Sequence, residues 1–516
     1  MSLRHSQSGR PTTPHTPPHR TNHSSFASSS SANSSFRGEE DAIILEIGSR
    51  WLRAGFEGES APMCVVGCGP EDSRRAGDYR GFLQTTHDGV TAASGSRDPE
   101  EWASVYELWN MDLRNVDLGL VEDRVERTIR ETYNKYLLTD AGTSRLVLAL
   151  PSVMPYPLLS ALLSTLFSRW RFPSITLLPT PAMAVLAAGL RSALVVDIGW
   201  AETVVTGVYE YREVATKRST RATKRLLQEM GKMLTALSPK GTAPPRPANE
   251  ISADFELCEE AVSRFAWARP RGDDPELSSV LQKTVSIPCP SNPSTYMDVP
   301  FAKFADPVGD VFFADGVAEN QLDDEEKSLP LLVYHALLAL PPDARGLCMS
   351  RIVFVGGGSH VAGIRSRVLA EVASLLDQYG WSAVRGQAIE KQRQQLQRLS
   401  LAPRPSSPDH NPDSPTVTEE EIDPVEQKLQ RNKDKDSQPP VQGTLREVES
   451  LGAWAGASLA TSLKIRGVVE IEREKYLQHG LAGASRDLES HGHVPDRRSG
   501  LRAGGDRSSW TLGGWG

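Results

Sequence analysis

Apolar residues fall into short unbroken runs that alternate with series spaced for helices. Two of the runs, Ala42-Ile-Ile-Leu-Glu46-Ile47 and Ala193-Leu-Val-Val-Asp197-Ile198, share one design: an acid interrupts the run just before a glycine, Gly48 or Gly199. β-branched and aromatic segments follow at 51–56 and 203–209 and read as returning strands. Residues 145–151 and 175–180 read as buried strands. Residues 158–170 between them place leucines and a phenylalanine on a helix, which makes a β-α-β crossover of a parallel or mixed sheet. Apolar positions 121, 125, 129, 133 and 136 mark an amphipathic helix. A helix expected at 331–340 leads into the strand 351–355, the glycines Gly356, Gly357 and Gly358, and a second helical series at 361–372.

The duplicated acid-glycine hairpin carries most of the information. Gly48 and Gly199 are expected to supply positive φ and room for a backbone or a phosphate to approach. Each acid sits at the C-terminal edge of its strand, where ligands of open α/β sheets lie. Either copy alone also reads as an ordinary hairpin; repetition at domain scale weakens that reading. The third glycine turn, opening a helix, suits a nucleotide or another anion.

These elements resemble the phosphate and adenosine loops of the actin, sugar kinase and chaperone ATPase superfamily. Gly48-Ser49, Arg53-Ala-Gly55-Phe56, Thr180-Pro-Ala-Met183, Asp197-Ile-Gly199, Gly363-Ile364 and Trp454-Ala-Gly456-Ala-Ser458 are similar to the actin-related proteins, over most of residues 41–480. The block 107–124 is similar to the divergent actin-related subunits at the pointed end of dynactin. The resemblance implies a duplicated two-lobe α/β fold with ribonuclease H-like mixed sheets flanked by helices. Residues 41–190, completed by 443–480, would form the first lobe, with a small-lobe region at about 65–105. Residues 191–385 would form the second, with its small-lobe region at about 224–298. It also implies ATP or ADP with magnesium between the lobes, and cytoplasmic, cytoskeletal partners: the actin-like filament subunit of dynactin and its other pointed-end subunits.

Departures from the family pattern weaken the nucleotide expectation. The degenerate cleft would comprise Glu46, Gly48, Ser49, Arg50, Arg53, Met183, Asp197, Gly199, Trp200, Gly356, Gly357 and Gly358. Glu46 stands where the family has an aspartate. Arg50 replaces a glycine and is expected to strain a turn that needs positive φ, although its charge could meet phosphate. Trp200 and Ala201 replace an aspartate and a glycine, Val204 a histidine, and Met183 falls near a water-orienting glutamine; Thr220 and Ser450 also differ. Losing several charge-handling groups that act as a set suppresses phosphoryl transfer by orders of magnitude, so a non-catalytic protein is expected.

Composition adds limits. Net charge is -8, which gives no global basis for nucleic-acid binding. No apolar run approaches the roughly 20 residues of a membrane span. The basic cluster Lys217, Arg218, Arg221, Lys224 and Arg225 reads as the solvated start of a helix rather than a nuclear signal. Five cysteines without metal spacing indicate neither a zinc site nor a disulfide framework, and no structural metal is expected. His335 reads as a core histidine rather than a ligand. Residues 1–40, rich in Ser, Pro, His and Arg, raise the question of a transit peptide, against which their prolines argue. That segment, 386–442 and 481–516 read as a disordered tail, a disordered insertion and a flexible tail.

Overall fold

The computed structural model describes residues 42–69, 99–238, 250–271, 282–290, 292–317, 321–382, 441, 443–465, 468–483 and 485–486. The three segments expected to be disordered or flexible lie wholly or mostly outside these residues, as do residues 70–98 of the first small-lobe region.

The first apolar run forms β1 (Ile43–Ile47), which folds back antiparallel into β2 (Trp51–Phe56) and then β3 (Cys64–Gly67). A short helix, α1 (Pro99–Ser104), precedes α2 (Leu118–Thr132). Asp117 caps α2 by accepting from the backbone N–H groups of Gly119 and Leu120. Val121, Val125 and Ile129 face the core, and a π turn at Tyr133–Leu137 ends the helix. The expected crossover is present: β4 (Leu146–Leu150), α3 (Tyr156–Ser168) and β5 (Ser174–Pro179), with β4 parallel to both β1 and β5. Thr180 begins α4 (Thr180–Ala187) rather than ending the strand.

The second run repeats the plan. β6 (Ala193–Ile198) turns back antiparallel into β7 (Thr203–Tyr209), followed by β8 (Arg212–Ser219), α5 (Thr223–Leu237) and α6 (Phe255–Phe265). A two-stranded unit, β9 (Thr284–Cys289) with β10 (Asn292–Pro300), leads toward α7 (Leu329–Ala339) and α8 (Pro342–Met349). Strand β11 (Ile352–Val355) then joins β6 in parallel, and α9 (Ile364–Tyr379) follows the glycine loop. The four-stranded order β11-β6-β7-β8 is the second sheet. His335, half-buried on α7, has its pKa pushed down to about 4, with desolvation the leading cause, so it stays neutral at pH 7.

The closing segment returns to the first half. Helix α10 (Ala453–Ser462) packs beneath β1 and β4, and β12 (Val469–Glu472) pairs antiparallel with β5. A seventh strand, β13 (Ser485–Arg486), follows α11 (Arg473–His479). The first sheet is thus ordered β13-β12-β5-β4-β1-β2-β3. Both sheets are mixed and flanked by helices, the α/β architecture expected from the sequence.

Helix α4 joins the halves. It is short and, after Thr180, apolar throughout, and its residues Pro181–Val185 are buried, as suits a helix packed on two sides. Ala182 and Met183 pack with Trp454 and Ala457 under the first sheet, while Ala184 and Val185 pack with Val195 and Val353 of the second. Its approach to α10 requires Gly456, since a Cβ there would collide with the Met183 carbonyl. All five cysteines are buried and free. Among the described residues no helix is long and apolar enough to cross a membrane. Gly456→Ala should therefore destabilise the protein by about 3 kcal/mol, the upper range for forced overpacking. A lower urea midpoint at unchanged slope would register it.

Candidate functional site

Both hairpin turns are tight: the Gly48 N–H donates to Trp51 O at 2.9 Å and the Gly199 N–H to Glu202 O at 3.1 Å. Neither glycine has positive φ, and neither does Arg50, which corrects the expectation of strain at that residue. Gly199 is needed for space instead, because a Cβ would lie 2.8 Å from Glu202 O. Positive φ occurs at Gly356, where the third turn closes on the second: a Cβ at Gly356 would collide with Asp197 Oδ1 and Ile198 O. Gly358 is equally constrained by Ile198 and Thr223, whereas nothing crowds Gly357.

At the floor between the turns, Glu46 and Arg53 face each other across β1 and β2 and pair at 2.6 Å. Desolvation first, and then the Glu46 carboxylate, push Asp197 up to about 6 against the opposing pull of Arg53. The two acids of the repeat therefore sense each other, and Arg53 is the cation shared between them. Glu202 is also raised to about 6, mainly by desolvation. Among the described residues no group of three or more His, Cys, Asp or Glu is placed to hold a metal ion.

The turn tips hold a different assembly. Arg50 is buried; its guanidinium donates to Cys68 O and contacts both Glu259 carboxylate oxygens at 3.2 Å. Its Cζ lies 4.7 Å from the ring centroid of Trp51, 5.3 Å from Phe255, 5.6 Å from Tyr106 and 6.0 Å from Trp200. Such a desolvated cation gains about 2 kcal/mol or more from an aromatic face. Tyr106 stacks on Phe255 at 3.7 Å with planes 5° apart, and its hydroxyl donates to Glu256 at 2.7 Å. The indole N–H of Trp200 donates to Glu107 at 2.8 Å. Glu107, 4% exposed, also receives Lys224 Nζ at 3.3 Å, and the same ammonium reaches Glu100 at 2.8 Å.

Local folding places these groups. Leu108 N–H donates to Ser49 O and Cys68 N–H to Arg50 O, so the chain on both sides grips the first turn. Arg124 of α2 binds the carbonyls of Ser104 and Glu107 and anchors the strap that follows α1. On the other side, the Thr223 and Lys224 N–H groups donate to Gly199 O and Trp200 O, which seats α5 on the second turn.

The expected cleft residues thus separate into groups. Glu46, Arg53 and Asp197 are within electrostatic reach at the floor, with Gly356 against Asp197; Ser49, Arg50 and Trp200 belong to the bridged tips. Met183 does not join either group, because its side chain is buried with the first sheet and α10. Thr220 and Ser450 bind the carbonyls of Glu325 and Ala184. Glu107, Lys224 and Glu259 were not picked out from the sequence as site residues, yet they carry the charge of the site. The basic cluster is corrected in part: Lys224 and Arg225 do open α5, and Lys217 and Arg218 are exposed but lie on β8, whereas Arg221 and Lys224 are buried. Arg221 binds the carbonyls of Glu326, Asp310 and Val311. A buried cation is sustained only by such partners.

Nucleotide phosphates do not fit these tips. Arg50 and Trp200 project from them into contacts across the halves, and the Glu107 carboxylate beside Trp200 would repel an anion.

Residues 37–252 match the family described as Actin. The chain is 27% identical over 176 residues to Actin-related protein 4 of Schizosaccharomyces pombe, covering 33% of this chain and 36% of that protein. It is 24% identical over 241 residues to Actin-related protein 4 of Neurospora crassa, covering 40% and 51%. The matched regions span between about a third and a half of these relatives' lengths.

Folding raises the Asp197 pKa from its ordinary 3.8 to about 6, so the proton is held more tightly in the folded state. Its contribution is present in full below pH 3.8 and is lost as pH rises through about 6. Asp197→Asn should accordingly raise the melting temperature relative to the parent above pH 6 and lose that advantage near pH 4. Melting curves across this range test it, and an equal gain at both ends would refute the assignment.

Proposed function

We propose that this chain, which carries an actin-family domain over residues 37–252, is a non-catalytic actin-related structural subunit. It would cap the pointed end of dynactin's short actin-like filament, support dynein-driven transport along microtubules, and reside in the cytoplasm with the cytoskeleton. The observation that carries the non-catalytic reading is the commitment of Arg50 and Trp200 to Glu259 and Glu107. Phosphoryl transfer depends on positioned charge around the phosphates and an ordered attacking water. At these turns the charges are spent on protein contacts, and Met183 is packed away from them. ATP or ADP is accordingly not assigned to the tips.

The capping reading rests on the similarity of 107–124 to dynactin's pointed-end subunits and on geometry. Head-to-tail subunits propagate unless one end ceases to accept a neighbour. Retention of the α10 and β12 region, together with the divergent 65–105 region, is the asymmetry such a terminator requires. The relatives' name, Actin-related protein 4, states no membership of dynactin, so a nuclear subunit of a chromatin-remodelling complex is kept as the second reading.

Tagged full chain captured from its native cell should bring down dynactin's filament and pointed-end subunits, and labelled chain should bind one filament end. Recovery of remodeller subunits, or incorporation along filaments, would refute capping. Phosphate release from Mg-ATP should not exceed the buffer rate; measurable turnover abolished by Asp197→Asn would refute the non-catalytic reading.

A further inference from the structure

We propose that Arg50, its aromatic cage and the Glu107–Lys224 pair form a resident latch that holds the two halves together without nucleotide or divalent cation. The latch rests on the non-catalytic reading and deepens it by assigning the altered turn residues a task. Its two sides belong to different sheets. Arg50 extends from the β1–β2 turn, and Glu107 and Tyr106 from the strap bound to that turn through Leu108. Trp200 extends from the β6–β7 turn, Lys224 from α5, and Phe255 and Glu259 from α6. The principal contacts join the first turn and the strap bound to it to the second turn, α5 and α6: Arg50 to Glu259, Tyr106 to Phe255 and Glu256, Trp200 to Glu107, and Lys224 to Glu107. Helix α1, which leads into the strap, is seated on the second half: Trp102 is buried in its core, the Trp102 indole donates to Ala253 O at 3.0 Å and Gln228 donates to Pro99 O at 3.0 Å.

The chemistry of the latch excludes a ligand acting as the clamp. A bridging nucleotide would supply negative charge for donors on both turns. Here the bridge is a cation on one turn, and the negative charge is supplied by Glu259 and Glu107 from the protein itself. A phosphate entering at the tips would have to take Arg50 from Glu259 while facing the buried Glu107. Latch and phosphate therefore compete for one place, and the intramolecular partner is always present. Helix α4 fixes the halves at one point and the latch fixes them at a second, so their angle becomes a property of the chain alone.

Hydrogen exchange read by mass spectrometry on the full chain tests this. In protein stripped with apyrase and EDTA, exchange in 99–108, 223–237 and 255–265 should not change when Mg-ATP is restored. Arg50→Gly should raise exchange in these segments by about tenfold or more, since a buried cationic partner is lost and local opening eases. Strands β4 and β11 should stay protected and so report that the variant is folded. Glu259→Gln, which keeps the side-chain shape, should produce a smaller rise in the same segments and decides the matter if Arg50→Gly does not fold. Slowing of exchange by Mg-ATP in the parent chain, or no rise in either variant, would overturn the latch. ATP protection without phosphate release would overturn the latch alone and leave the non-catalytic reading standing.

Discussion

A guanidinium removed from water must be met by acceptors and counter-charge, and Arg50 imposes that requirement at the point where the two halves of the chain face each other. Cys68 supplies a carbonyl, Glu259 a carboxylate, and four aromatic rings their electron-rich faces. The neighbouring structure conforms to this need. The strap carrying Tyr106 is bound to the first turn, and α6 presents Phe255 and Glu259 from the other half. Breaking such a buried pair by removing one partner costs about 3–5 kcal/mol, a large fraction of the stability of a typical domain. Lys224 and Glu107 repeat the arrangement beside Trp200, so the seam contains two cations and their acids in place of an anion-binding mouth.

The other contact between the halves is built from size rather than charge. Helix α4 presents alanines, Met183 and Val185 to the cores on either side, and Gly456 lets the α10 backbone come against it. Close-packed contacts of this kind tolerate little change in volume. A narrow apolar joint and a charged seam together constrain the halves more than either would alone. The floor between them keeps an unrelieved electrostatic cost in Asp197, which Arg53 only partly offsets.

Much of this was legible in the chain. The repeat of apolar run, acid and glycine gave both hairpins, and the 3.6-residue spacing from Val121 gave α2, because local pattern and burial agree there. The expected turns form, and Gly199 gives the room for a backbone that the sequence implies, but neither it nor Gly48 takes the expected positive φ, which at this site occurs at Gly356. Such differences depend on turn register, which composition does not encode. Arg50 and Trp200 stood out as misfits, but their partners did not. Glu259, Glu107 and Lys224 lie far from the turns in sequence, and a buried ion pair leaves no periodic signature. Read linearly, Lys224 belonged to a solvated basic cluster; its burial follows from tertiary placement of Glu107. Met183 was assigned by position in a family pattern, and packing against α10 decided its place.

The hydrogen bond from the Trp454 indole to Ile44 O joins the first strand to a helix formed some four hundred residues later. Ser458 likewise donates to Glu59 O, and β12 pairs with β5. On the ribosome, β1, β4 and β5 therefore emerge with one sheet face uncovered and one edge unpaired, and they stay so until α10 and β12, residues 453–472, have been made. Exposed apolar faces and open strand edges are where nascent proteins aggregate. The long return of α10 thus sets how much chain must be made before the strands it covers are shielded.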